Sequence, residues 1–186
     1  SFWPVEPNSG DVDSAWANAE MKNEGVYRTA DRHHNAMEPS ATIAIWRNDE
    51  LTLHDAVQGV SAARGAIAQA LKLEPARVRV RCDYVGGGFG CKGWMWPHQL
   101  LAAMAARELA RPVKLVLTRQ QAYTSHGYQP ASEQTIALSA RRDGTLTGIR
   151  HDSFLAGSYV GNHVEGTGIG TGLLYASPSI RRSHRL

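Results

Sequence analysis

The residues best suited to chemistry lie in Tyr84-Val85-Gly86-Gly87-Gly88-Phe89-Gly90-Cys91-Lys92-Gly93, where five of ten positions are glycine. Without a Cβ, glycine lets backbone N–H groups approach a ligand. A tight turn needs one or two glycines; three in a row and a fourth after Phe89 point to a loop that touches a ligand. Gly88 to Gly93 formally satisfies G-x-G-x-x-G, the dinucleotide fingerprint. That fingerprint wants a helix opening at its third glycine, with the helix N-terminus on a pyrophosphate. Here Trp94-Met95-Trp96-Pro97 intervenes, and no acidic residue follows at a second strand end. A Walker phosphate loop needs Ser or Thr after its lysine, but Gly93 follows Lys92. A kinase glycine loop turns into a strand, and this one runs into a helix. A nucleotide-binding domain built on Gly88 to Gly93 would require the helix to begin at Gly93, and the sequence argues against it.

Gln58 is the second candidate. It closes the strand-like run Leu51 to Val57 and stands either beside the glycine loop or as a polar cap on the next helix. Adjacent His33 and His34 invite a metal reading. Neighbouring ligands in a loop point apart, however, and no third ligand is near, so histidines bonded to backbone are expected there. Cys82 and Cys91 are too few for a disulfide framework or a four-ligand zinc site and read as reduced thiols. No residue is singled out as a metal ligand.

These groups need elements to position them. Asn8 to Ser14 supplies helix-start residues, Ala15 to Met21 continues as a helix that Gly25 ends, and Val26-Tyr27-Arg28-Thr29 is a short strand. Asp31 to Ser40 is a polar loop. Ala41 to Trp46 and Leu51 to Val57 form a β-hairpin across Arg47-Asn48-Asp49-Glu50. Val60 to Leu73 is a helix that stops before Pro75. Val78 to Tyr84 alternates with period two, a strand leading into the glycine loop. Pro97 to Ala110 is a helix whose small residues suit close packing on a sheet. Val113 to Leu117 is a strand and Gln120 to His126 a short helical turn.

Ser132 to Ala140 and Thr145 to Phe154 form a longer hairpin, and Ser179 to Leu186 is a last strand. Between them Gly157 to Gly172, carrying Gly161, Asn162, His163 and Glu165, reads as a long irregular loop. The fold class is α+β, mixed sheets with β-hairpins and packed helices. Residues 1–30 are a lead-in helix and strand, 31–126 a module around the glycine loop, and 127–186 a second hairpin with a glycine-rich loop. Hairpin, helix, strand, glycine loop is an order that puts Gln58 and the loop at the ends of successive strands, where ligand sites collect in layered α/β sheets.

Composition sets the outer limits. The 186 residues, 42% hydrophobic and 20% charged, suit a soluble globular protein of one domain, or one and a part. A net charge of +3, spread along the chain, makes no case for nucleic acid, and the run Arg181 to Arg185 reads as a solvated strand edge. No apolar stretch approaches the ~20 residues of a membrane helix, and no signal-peptide pattern is visible, which leaves cytoplasm and periplasm both open. Ser1-Phe2-Trp3-Pro4-Val5 opens without Met and the final strand stops in mid-pattern, so the chain is expected to be a fragment.

Val85-Gly86-Gly87-Gly88-Phe89-Gly90-Cys91-Lys92 resembles the Gly-Gly-Gly-Phe-Gly loop of the xanthine dehydrogenase and aldehyde oxidase family, in its large, molybdopterin-binding subunit. The resemblance runs over nearly the whole chain. It includes His34-Asn35-Ala36-Met37-Glu38-Pro39 with Ala41-Thr42-Ile43-Ala44, and the strand-end Val57-Gln58-Gly59. It continues in Arg111-Pro112-Val113-Lys114-Leu115-Val116-Leu117-Thr118-Arg119 and in Ser179-Ile180-Arg181 with Ser183-His184-Arg185-Leu186. It implies a part of the molybdenum-cofactor-binding domain, with the Gln58 amide near the apical oxygen ligand of molybdenum. Gly87, Gly88, Phe89 and Gly90 would lie against the metal centre and the pterin dithiolene. Phe89 either walls that pocket or anchors the core.

The implied cofactor is molybdenum–molybdopterin in its cytosine dinucleotide form, with iron–sulfur clusters and FAD on partner subunits. The implied reaction inserts water-derived oxygen at an activated C–H. It needs a glutamate general base, which the family places beyond residue 186. None of Glu38, Glu108, Glu133 or Glu165 matches it, so this chain alone is expected to be inactive. In the purine-hydroxylating branch a glutamate follows the loop lysine; Gly93 stands there, which points to an aldehyde or N-heterocycle. Ser40 stands where the family often has histidine. The reading from another class is a non-catalytic module whose loop binds a small ligand or a partner.

Overall fold

The computed structural model describes residues 8–157 and 166–186. It divides into two compact units, His33–Gln129 and the chain up to Arg32 together with Pro130–Leu186. In the first unit, β2 (Ala41–Arg47) and β3 (Glu50–Asp55) make the expected hairpin, and α2 (Val60–Leu71) leads to β4 (Val78–Arg81). The chain continues through α3 (Pro97–Glu108), β5 (Val113–Val116) and α4 (Arg119–Ser125). The sheet order is β4-β3-β2-β5, with β3 and β4 parallel and the other pairs antiparallel.

Alternation decides which face is buried. Thr42 and Ala44 on β2, Leu51, Leu53 and Asp55 on β3, and Val78 and Val80 on β4 all point inward. Over that face lie Ala63, Ile67 and Ala68 of α2 and Ala102, Ala103 and Ala106 of α3. The alanines bring helix backbone close to the sheet, which larger side chains would prevent. α2 stops at Lys72, a C-cap residue in the left-handed region (φ 55), three residues before Pro75.

In the second unit, β1 (Met21–Thr29), β6 (Ser132–Ala140), β7 (Leu146–Leu155) and β8 (Ile180–Arg185) form one sheet in that order. The β6–β7 hairpin is where the sequence places it. The lead-in differs: α1 is Val12–Ala17, capped by Asp11, and the helix expected to reach Met21 ends four residues earlier. β1 runs unbroken through Gly25, because nine residues of β6 pair with it from Met21↔Ala140 to Thr29↔Ser132. A partner strand overrides the helix propensity of Glu20, Met21 and Lys22.

Between β7 and β8, α5 (Ile169–Leu174) replaces the end of the expected irregular loop. Gly161, Asn162, His163 and Glu165 lie outside the described residues, as does the Ser1 to Val5 opening. β8 is a sheet edge as expected, but it is less solvated, since Arg182 is buried and Arg181 pairs with Asp13. No helix among the described residues is long and apolar enough to cross a membrane.

Candidate functional site

Parallel pairing of β3 with β4, from Leu51↔Val78 to His54↔Arg81, sends both strands to the same edge of the sheet. Gln58 follows β3 by three residues, and the glycine loop follows β4, so the two meet. The Gln58 N–H donates to the Lys92 carbonyl (2.9 Å). Its side-chain Oε1 accepts from the N–H groups of Gly90 (3.0 Å) and Lys92 (3.2 Å). Two donors on one oxygen fix the amide orientation and leave both Nε2 hydrogens without an acceptor among the described residues. Gln58 does not cap α2, whose N-cap is Gly59 with no side-chain bond.

The loop itself holds an unusual backbone. Gly87, Phe89 and Gly90 have φ of 91°, 55° and 97°. At Gly90 a side chain would be strained, and at Gly88 a Cβ would stand 2.6 Å from the Gln58 amide carbon. The N–H groups of Gly87, Gly88 and Phe89 meet no acceptor among the described residues, while those of Gly86, Gly90 and Lys92 do. Phe89 is 70% exposed, so it is not a core anchor. A non-glycine residue in the left-handed region with its ring in the open is a form of strain that concentrates at functional sites. Thus Gln58, Gly87, Gly88, Phe89 and Gly90 gather in one place, with three N–H donors and one amide NH2 to offer.

Behind the loop lie residues that the motif reading did not single out as functional. Glu38 Oε2 accepts from the Gly86 N–H (2.8 Å) and from Lys92 Nζ (2.7 Å), and the Lys92 side chain is only 3% exposed. Burial raises the Glu38 carboxyl pKa, but the Lys92 and Gly86 bonds outweigh it and hold the group below its ordinary value. Arg119, on α4, donates to the carbonyls of Ala36 (2.6 Å) and Met37 (2.8 Å) and so fixes the polar loop that carries Glu38.

Asp55 is buried at the end of β3, where it accepts from Thr42 Oγ1 (2.8 Å) and from Gln99 Nε2. Burial pushes its carboxyl up in spite of those bonds. Gln99 Oε1 in turn accepts from the Trp96 N–H (2.7 Å), and Trp96 Nε1 donates to the Cys91 carbonyl (2.6 Å). The strand end, the start of α3 and the exit of the loop are therefore one hydrogen-bonded frame. A signal for Asp55 was present in its parity with Leu51 and Leu53; nothing in the sequence pointed to Gln99.

Histidines gather on the same side. His98 and His126 stand with ring centroids 5.6 Å apart, and His126 Nδ1 is 3.3 Å from Cys91 Sγ. His34 Nδ1 is buried without a hydrogen-bond partner among the described residues, which corrects the expectation of backbone-bonded loop histidines. His33 instead sits against the rings of Tyr123 and Tyr128. Both cysteines are free, and burial raises the Cys91 thiol against the lowering effect of Lys92. No group of three His, Cys, Asp or Glu among the described residues could hold a metal ion.

Burial, with the charge of Lys92, lowers His98 to about 4; burial, then His98, Lys92 and His34, lowers His126 to about 4. The unfolded chain binds these protons near pH 6.5 and the folded chain only near 4. Stability is therefore full above 6.5 and falls as pH drops from 6.5 towards 4. Exchange of the histidine C2 hydrogens in the intact parent protein, followed against pH, is expected to give midpoints near 4 for both. Midpoints near the ordinary ~6.5 would refute the buried neutral pair.

A donor-lined loop at the ends of parallel strands, with no helix at Gly93, excludes the nucleotide-binding reading; Cys91–Gly93 is a 3-10 turn and α3 starts at Pro97. A family model described as the molybdopterin cofactor-binding domain matches residues 3–181, and the chain belongs to that family. It is 36% identical over 181 residues to the aldehyde oxidoreductase molybdenum-binding subunit PaoC of Escherichia coli, covering 97% of this chain and 25% of that protein. It is 29% identical over 150 residues to the nicotine 6-hydroxylase large subunit of Paenarthrobacter nicotinovorans, covering 80% of this chain and 18% of that one. The aldehyde oxidoreductase from Desulfovibrio gigas superposes with a TM-score of 0.77 at 26% identity, covering 94% of this chain and 20% of that chain. The chain thus spans about a quarter or less of the length of these relatives.

Proposed function

We propose that this chain forms one wall of the molybdenum site in a hydroxylase that oxidises aldehydes or N-heterocycles. The observation that carries the reading is the division of labour at Gln58. Its oxygen is used up by Gly90 and Lys92, and its NH2 is left to face a ligand beside the free N–H groups of Gly87, Gly88 and Phe89. Four residues offering only donors suit a group rich in oxygen and sulfur acceptors. Glycine at 88 lets the Gln58 side chain pack against the loop backbone, where a Cβ would stand 2.6 Å from its amide carbon, and so sets where its NH2 lies.

Molybdenum bound to molybdopterin, in the cytosine dinucleotide form, would supply the two-electron chemistry and the oxygen transfer. The chain's own residues bind and orient. Gln58 donates from Nε2, and Gly87, Gly88 and Phe89 donate from the backbone in a fixed array that needs no reorganisation. Phe89 presents an apolar ring that excludes water from one side. The general base is a glutamate beyond residue 186, and electrons leave to iron–sulfur and FAD partner subunits. The name of one relative, an aldehyde oxidoreductase, and of another, a nicotine hydroxylase, support the two substrate classes. Gly93, in place of a glutamate after Lys92, supports them over purine.

The test is metal and pterin analysis of the full-length parent made in a host that supplies the cofactor, beside Gln58→Ala. The parent is expected to hold molybdenum near one per chain. Loss of one charge-assisted or neutral donor costs roughly 1–3 kcal/mol, so Gln58→Ala should lower turnover of an aldehyde with a dye acceptor by about ten- to a hundredfold. A parent that holds no molybdenum sinks the reading and favours a non-catalytic ligand-binding module.

A further inference from the structure

We propose that Glu38 and Lys92 are positioning residues that clamp the glycine loop at both ends and so hold Gly87 to Phe89 in place before any ligand arrives. The inference rests on the reading that this loop is where the cofactor lies.

Three pins hold the loop. At its start, Glu38 Oε2 takes the Gly86 N–H (2.8 Å), and the Glu38 N–H donates to the Gly86 carbonyl (3.1 Å). At its end, Gln58 Oε1 takes the N–H groups of Gly90 and Lys92, while the Lys92 carbonyl takes the Gln58 N–H. The third pin joins the other two: Lys92 Nζ reaches back 2.7 Å to Glu38 Oε2. The result is a closed ring through Gly86, Glu38, Lys92, Gln58 and Gly90, from which Gly87, Gly88 and Phe89 project with N–H groups that meet no acceptor among the described residues.

Charge and burial give the third pin its force. A lysine that is 3% exposed must keep the carboxylate of Glu38, its one ion-pair partner among the described residues, because an ammonium left alone in the interior is strongly disfavoured. The Glu38 side chain is 38% exposed, so water screens part of the attraction, and the pin's force comes mainly from the buried lysine's need for a partner. The buried Asp55 carboxylate adds a second, longer-range attraction, since burial raises its pKa and the charge of Lys92 acts to lower it. The approach of Glu38 to Gly86 is also close: a Cβ on Gly86 would lie 3.3 Å from Glu38 Oε2 and nearer still to its Cβ. Glu38 is supplied by a loop that Arg119 holds by two carbonyls, so the clamp has a fixed base.

Hydrogen exchange with single-residue fragmentation, on the full-length parent purified without cofactor, tests this independently of activity. In Glu38→Gln the amide oxygen can still accept from Gly86, but the ion pair is gone. The clamp predicts exchange at least about tenfold faster at Gly90 and Lys92, whose N–H groups bond to Gln58 and never touch Glu38. Lys92→Met should accelerate Gly86 likewise, and Lys92→Arg should restore much of the protection. Exchange in β2 (Ala41–Arg47) and over residues 63–71 of α2, none of them bonded to the loop, serves as the folding control; if one variant unfolds there, the other decides. Unchanged exchange at Gly90 in a folded Glu38→Gln, or at Gly86 in a folded Lys92→Met, overturns the clamp. A parent that carries no molybdenum when the cofactor is supplied, yet shows these exchange changes, keeps the clamp and removes the cofactor reading.

Discussion

Gly88→Val in the full-length parent is expected to cut the molybdenum content by about ten- to a hundredfold while the protein stays folded. The Cβ alone would lie 2.6 Å from the Gln58 amide carbon and 2.8 Å from its Cγ. Gln58 cannot swing aside without releasing the N–H groups of Gly90 and Lys92, so the strain is shared between a clash and two lost bonds. Overpacking of this kind costs roughly 1–3 kcal/mol, which sets the range. Gly93→Ala is the internal control. A Cβ there meets nothing within 4 Å, so the same loop with one more methyl should bind as the parent does. Equal molybdenum in Gly88→Val and the parent would mean that the packing of Gln58 on Gly88 does not shape the cofactor site.

Gln99→Leu is expected to be among the most damaging single changes to the unit His33–Gln129. Leucine fills the volume of a side chain that is 1% exposed but takes the Gln99 bond from the buried Asp55 carboxylate and from the half-buried Trp96 N–H. A buried group that loses its partner costs about 1–3 kcal/mol and a half-buried one less, so a loss of about 2–4 kcal/mol is expected. In hydrogen exchange on the intact protein that corresponds to openings of β3 and α3 faster by about thirtyfold or more. The double variant with Asp55→Ala should be less damaging than the sum of the single ones, because the two side chains share one bond. Strict additivity would show that Asp55 and Gln99 are not coupled.

Much of this was legible in the residues themselves. Polar turns between strand-forming runs located the hairpins β2–β3 and β6–β7, alternation located β4 and β5, and alanine-rich runs bounded by proline located α2 and α3. The excess of glycine after β4 marked the loop, and the string of motifs from His34 to Leu186 identified the family. The reading failed at Met21 to Gly25, where a distant partner decided, and at Ile169–Leu174, which is a short helix. β6 pulled the first into a strand that local propensity would not choose.

The sequence by itself determined that this chain carries a donor-rich loop at a strand end and a glutamine at the end of the strand before it. Only the tertiary structure decided which donors are spent and which are left. That Gln58 turns its oxygen to Gly90 and its nitrogen outward, that Lys92 is buried on Glu38, and that Asp55 reaches Gln99 are facts about residues 32 to 54 positions apart. Their types are visible along the chain, but hydrogen bonds need distance and angle. The parallel pairing of β3 with β4 and the packing of α3 over them fix both.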